Sequence, residues 1–146
     1  MTRRRICIFT GTRADFGLLH PLIDDILQDT TIELQLIVTG SHLAPEFGMT
    51  YREIEQIGIP IARKIEILDT SDTAVGVCRA SGLGMIRCSQ AVDELRPDIV
   101  VVLGDRFEIL AAAFSALVLG IPVAHLHGGE VTEGAIDESL RHAITK

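Results

Sequence analysis

Short apolar runs alternate along this chain with longer stretches in which apolar positions recur every three or four residues. The runs "ICIFT" (6–10), "IELQLIVTG" (32–40), "IARKIEI" (61–67), "IVVVL" (99–103) and "IPVAHLH" (121–127) read as strands. Between them, 15–28 carries helical spacing at Leu18, Leu19, Leu22, Ile23, Ile26 and Leu27. Helices are also expected over 45–58, 71–95, 107–119 and from about Asp137. Thr70, Ser71 and Asp72 are placed to cap the third of these, and Gly76, Gly82 and Gly84 weaken its first half unless close packing requires them.

Strands that alternate with helices predict βαβ units and a parallel sheet. The all-apolar Ile99–Leu103 suits a central strand covered on both faces, and 61–67, polar on one side, suits an edge. The expected fold is a doubly wound, Rossmann-like α/β domain spanning 1–146, whose ligand site lies outside the carboxyl ends of the strands.

Composition narrows the function. The 146 residues are 47% hydrophobic and 23% charged, with a net charge of −7, so the chain is globular and acidic. Acidity argues against nucleic acid and against an anionic membrane surface as partners. No run approaches the ~18 apolar residues of a membrane span. The three cysteines have no CxxC spacing and read as reduced thiols of a cytoplasmic protein. The closing "DESLRHAITK" is a helical pattern without a stop signal and reads as the interior of a longer protein.

Three strand exits are polar and rich in glycine: "TGTRADFG", "GDRFE" and "HLHGGEVTEGAIDE". All three open on one rim, which would gather Arg13, Asp105, Arg106, His125, His127, Glu130, Glu133 and Asp137. Gly11 and Gly104 permit close backbone approach to a ligand. Helix-start amides and the guanidinium groups of Arg13 and Arg106 suit phosphate. Neighbouring carboxylates split their pKa values and so can serve as acid and base.

Blander roles stand beside these. Asp105 and Glu108 fit a capping box, Arg13 and Asp15 a local ion pair, and Glu130 a turn. His125 and His127 alternate along a strand, so one of the two reads as a satisfied internal histidine. Glu133 reads as solvated. No dinucleotide fingerprint, phosphate loop, nucleophile elbow or metal-ligand spacing is present.

With "TGTRADFGLL", "VTGSHL", "VVLGDRFEIL" and "HLHGGEVTEGAIDESLRHAITK" in view, the chain resembles the hydrolysing UDP-N-acetylglucosamine 2-epimerases of sialic acid biosynthesis. The resemblance implies two Rossmann-like domains in the GT-B arrangement, of which this chain is most of the first. It implies a UDP-sugar substrate, no cofactor, and a homo-oligomer (dimer or tetramer) of the full-length protein. It implies elimination of UDP after proton removal at C2, then addition of water, giving UDP and N-acetylmannosamine.

Carried over by motif, Asp105, Glu130 and Asp137 would be catalytic, with His127 standing where many relatives have Glu. Gly11, Thr12, Arg13 and Arg106 would bind the substrate. The stretch "SHLAPEF" replaces the Gln-His-Arg-Glu-Met stretch of the non-hydrolysing branch. UDP-2,4-diacetamido-bacillosamine is the alternative substrate. A GT-B glycosyltransferase and a non-catalytic nucleotide-sugar-binding fragment compete with the epimerase as functions for such a chain. Because the resemblance places further contacts in a second domain, residues 1–146 alone are expected to be inactive.

Overall fold

A computed structural model of the chain describes residues 2–67, 73–129 and 136–146. Five strands form one parallel sheet: β1 (Arg4–Thr10), β2 (Ile32–Thr39), β3 (Arg63–Ile65), β4 (Ile99–Leu103) and β5 (Val123–Leu126). Their spatial order is β3-β2-β1-β4-β5. The helices are α1 (Arg13–Gln28), α2 (Tyr51–Gln56), α3 (Ala74–Leu95), α4 (Phe107–Val118) and α5 (Ile136–Thr145).

Side-chain alternation divides the sheet between two cores. Cys7, Phe9, Ile37, Val100 and Val102 pack on one face with Cys88 and Val92 of α3, Ile109 and Ala112 of α4, and Ile144 of α5. Ile8, Leu36, Val38, Val101 and Leu103 pack on the other with Leu19, Ile23 and Ile26 of α1 and Ile54 of α2. Val100 and Val102 are fully buried, each worth about 1.5–3 kcal/mol of apolar burial. The doubly wound assignment and the central and edge positions of β4 and β3 therefore hold.

Boundaries shift where turn chemistry overrides periodicity. The helix expected over 45–58 is broken: a 3-10 turn at Pro45–Phe47 is followed by Gly48 in the left-handed region (φ 81), and only Tyr51–Gln56 is α-helical. β3 is three residues long. The cap of α3 is Thr73, whose Oγ1 accepts the Gly76 amide at 3.0 Å; Thr70, Ser71 and Asp72 lie outside the described residues. α3 runs unbroken through its glycines. At Gly84 a Cβ would sit 3.1 Å from Cβ of Ala111, so that glycine lets α3 and α4 approach closely. Cys7 and Cys88 are buried, and burial pushes the Cys88 thiol up to about 12 and Cys7 higher still. Among the described residues no helix is long and apolar enough to cross a membrane.

Candidate functional site

The chain reverses direction across the sheet between β1 and β4, and the exits of these two strands flank the switch point where parallel sheets take ligands. From β1 the chain passes through buried Gly11 to Thr12, the N-cap of α1, whose Oγ1 accepts the Asp15 amide at 3.0 Å. From β4 it passes through Gly104 (φ 88) and half-buried Asp105 to Arg106, which occupies the N-cap position of α4 without making a side-chain cap bond. The capping-box reading of Asp105 and Glu108 is therefore not realised.

Glu108 does something else. It is fully buried, and its Oε1 accepts Arg106 Nε at 2.6 Å. A Cβ at Gly11 would stand 2.8 Å from that oxygen, and one at Gly40, at the exit of β2 with φ 62, 3.1 Å from it. Burial raises the Glu108 pKa, with the Arg106 charge pulling the other way. Its Oε2 has no hydrogen-bond partner among the described residues. Half-buried Asp15 is raised in the same way: burial is the main cause, the Thr12 hydroxyl and Arg106 oppose it, and the charge of Asp105 adds to it. Arg106, for which burial alone would lower the pKa, is held above its ordinary value by the charges of Glu108, Asp15 and Asp137. One guanidinium thus bonds Glu108 of α4 and lies in the field of Asp15 of α1 and Asp137 of α5, while Asp105 lies in the field of Asp15.

The β2 exit closes the floor. Ser41 donates its amide and hydroxyl to the Gly11 carbonyl at 2.9 and 3.1 Å. His42 is buried between Thr10 Oγ1 (2.9 Å) and Thr50 Oγ1 (2.8 Å), and burial lowers its pKa to about 4, so the ring is neutral.

The β5 exit is built differently. His125 is a satisfied histidine: Nε2 donates to the Gly104 carbonyl at 2.6 Å, and Nδ1 meets Thr145 Oγ1 at 2.7 Å. His127 is exposed and sits in the left-handed region at φ 62, unusual for a residue with a side chain. Buried Arg141 of α5 donates to the Gly128 carbonyl and to Glu138 Oε1 (2.7 Å), tying the turn after His127 to α5.

Of the expected site residues, Gly11, Thr12, Asp105 and Arg106 stand around the switch point, and Asp137 lies within electrostatic range of Arg106. Arg13 stands apart: it is exposed and pairs with Glu53 of α2 at 3.2 Å, not with Asp15. Glu130 and Glu133 lie outside the described residues. Sequence reasoning misses Asp15 and Glu108 as site components. The signal is there in "RFEILAAAF", where a single acid interrupts an apolar helix. A cleft of about 510 Å³ lies elsewhere, beside β3, lined in part by Tyr51, Arg63, Lys64 and Glu94. Two of its cations are paired, Lys64 with Glu55 at 2.6 Å and Arg63 with Glu94 at 3.4 Å.

The model of the UDP-N-acetylglucosamine 2-epimerase family matches residues 24–146. The chain is 47% identical, over its whole length, to a GDP/UDP-N,N'-diacetylbacillosamine 2-epimerase (hydrolyzing) of Campylobacter jejuni. It is 40% identical over 98% of its length to a UDP-N,N'-diacetylbacillosamine 2-epimerase (hydrolyzing) of Legionella pneumophila. It spans 38% of the length of each. The solved UDP-GlcNAc 2-epimerase of Methanocaldococcus jannaschii superimposes with a TM-score of 0.78 at 27% identity, covering 96% of this chain and 36% of that one.

Proposed function

The chain belongs to the UDP-N-acetylglucosamine 2-epimerase family, and from that premise we propose that it forms the acid–base half of a hydrolysing 2-epimerase acting on a UDP-2-acetamido sugar. The observation that carries this reading is the gathering of Asp105, Asp137 and Arg106 at the switch point, where Arg106 lies in the field of Asp137.

In the proposed reaction a base takes the proton from C2 while the C1–O bond to UDP breaks, leaving a C1–C2 double bond. Water then adds at C1 and a proton is delivered to the opposite face of C2, giving the 2-epimeric free sugar and UDP. Arg106 stabilises the negative charge that builds on the departing diphosphate, joined by amides at the starts of α1 and α4. Asp105 and Asp137 are the proton-transferring carboxylates, with Glu130 as a third, and exposed His127 is a further proton carrier. Thr12 and Gly11 shape the floor.

Two sugars fit the family: UDP-N-acetylglucosamine, and UDP-2,4-diacetamido-bacillosamine. The relatives at 47% and 40% identity are both named for the diacetamido sugar, which favours it as the first to be assayed. The test is UDP release from each nucleotide sugar by the protein as its gene encodes it. Release from either, abolished by Asp105→Asn, supports the reading. Release that survives Asp105→Asn with near-parental rate removes Asp105 from the chemistry, and no release from either sugar removes the epimerase reading.

A further inference from the structure

Glu108 is a costly residue for its position. A fully buried carboxylate forfeits its hydration, and packing alone would be served better there by an apolar side chain like its neighbours Ile109 and Ala112. Three separate elements converge on one of its atoms. Oε1 receives Arg106 Nε at 2.6 Å, while the bare Cα positions of Gly11 and Gly40 leave it the space that any Cβ would take. The carboxylate is thus confined from the β1 exit, the β2 exit and α4 together. Among the described residues, Nε is the only Arg106 nitrogen found in a hydrogen bond. The guanidinium is therefore gripped by its Nε edge, while the Nη edge, which forks onto phosphate oxygens, is not taken by Glu108. Asp15 and Asp137 lie within electrostatic range and compete for the same cation.

We propose that Glu108, seated in the mould formed by Gly11 and Gly40, is a positioning residue that holds the Arg106 Nη edge toward the substrate diphosphate and away from Asp137. The inference rests on the reading of Arg106 as the diphosphate contact.

The experiment is a double-mutant cycle on kcat/KM for the nucleotide sugar, in the protein as its gene encodes it, with thermal midpoints measured alongside. Arg106→Ala is expected to lower kcat/KM about a hundredfold and the near-isosteric Glu108→Gln about tenfold. The double variant is expected to match Arg106→Ala within about threefold, because Glu108 acts only through Arg106. Gly11→Ala, whose new methyl displaces Oε1, is expected to reproduce the Glu108→Gln loss and keeps the test open should a Glu108 variant fold poorly. Losses that multiply in the double variant overturn the proposal, as does an unaffected Glu108→Gln enzyme. A parent that turns over neither sugar sinks the epimerase reading instead. The same cycle is then read on UDP affinity by calorimetry: coupled losses sustain the positioning role, and additive losses or no UDP binding overturn it.

Discussion

The exits of β4 and β5 feed the same rim but are held in opposite ways. At the β4 exit the critical groups are locked from below: Glu108 is fully buried, Arg106 is gripped at 2.6 Å, and glycines at the exits of two other strands leave no slack. At the β5 exit the strand residues are only half-buried, His127 is exposed with a left-handed backbone, and the turn hangs from α5 through Arg141 and through the contact of His125 with Thr145. On the proposed reading the labour divides: Arg106, assigned to the leaving group, is fixed by a buried carboxylate at the sheet end, and His127, assigned to proton transfer, precedes a turn tied to α5. His125 joins the two halves by donating to the Gly104 carbonyl.

The largest effect should come from the locked side. Asp105→Asn is expected to lower turnover about a thousandfold with an unchanged thermal midpoint, since general acid–base groups contribute on that scale. Steady-state UDP release and a melting curve check both halves of that statement. On the other side, His127→Asn keeps a residue type tolerant of positive φ but removes the imidazole. If His127 carries a proton, turnover falls about a hundredfold. A loss no greater than about twofold would make His127 a turn residue only.

Arg141→Met separates anchoring from chemistry. It removes the donors to the Gly128 carbonyl and Glu138, and should cost about 1–3 kcal/mol in urea unfolding while raising protease sensitivity first at the β5–α5 turn. Uniform loss of protection across the chain would contradict the view that α5 specifically holds that turn.

The most specific effect concerns pH. His42 titrates near 4 when folded against 6.5 ordinarily. Between those values the unfolded chain binds a proton that the folded chain does not, so the stability of the neutral buried ring is present above pH 6.5 and drains away as pH falls toward 4. Comparing the parent with His42→Gln should reveal about 3 kcal/mol of extra acid sensitivity in the parent. Glu108 and Asp15, raised by burial, act in the reverse sense: their contributions are present below their ordinary values and fade as pH rises through the folded ones. The difference between parent and variant isolates His42 from them.

How much of this is legible in the sequence follows from what each feature depends on. Ile99–Leu103 announces a central strand because burial on both faces demands five apolar residues in a row. The rim residues of the β1 and β4 exits are legible because glycine and charge at the ends of such strands have few other uses. The 45–58 helix is overextended by periodicity because one left-handed glycine outweighs a helical period. Glu108 suggests a cap because capping depends on spacing along the chain, which sequence displays. Its true setting depends on Gly11 and Gly40, which lie 97 and 68 residues away in sequence and meet it only once β1, β2 and β4 are side by side. Arg13 groups with Arg106 in the sequence because both follow strands, yet the first turn of α1 directs it outward to Glu53.

The most direct test of the central claim is proton NMR of the protein, as its gene encodes it, incubated in heavy water with UDP-2,4-diacetamido-bacillosamine and, in parallel, with UDP-N-acetylglucosamine. The expected result is free UDP together with a 2-epimeric sugar carrying deuterium at C2, from one of the two. UDP released with the C2 proton retained, or an intact nucleotide sugar in both tubes, would contradict it.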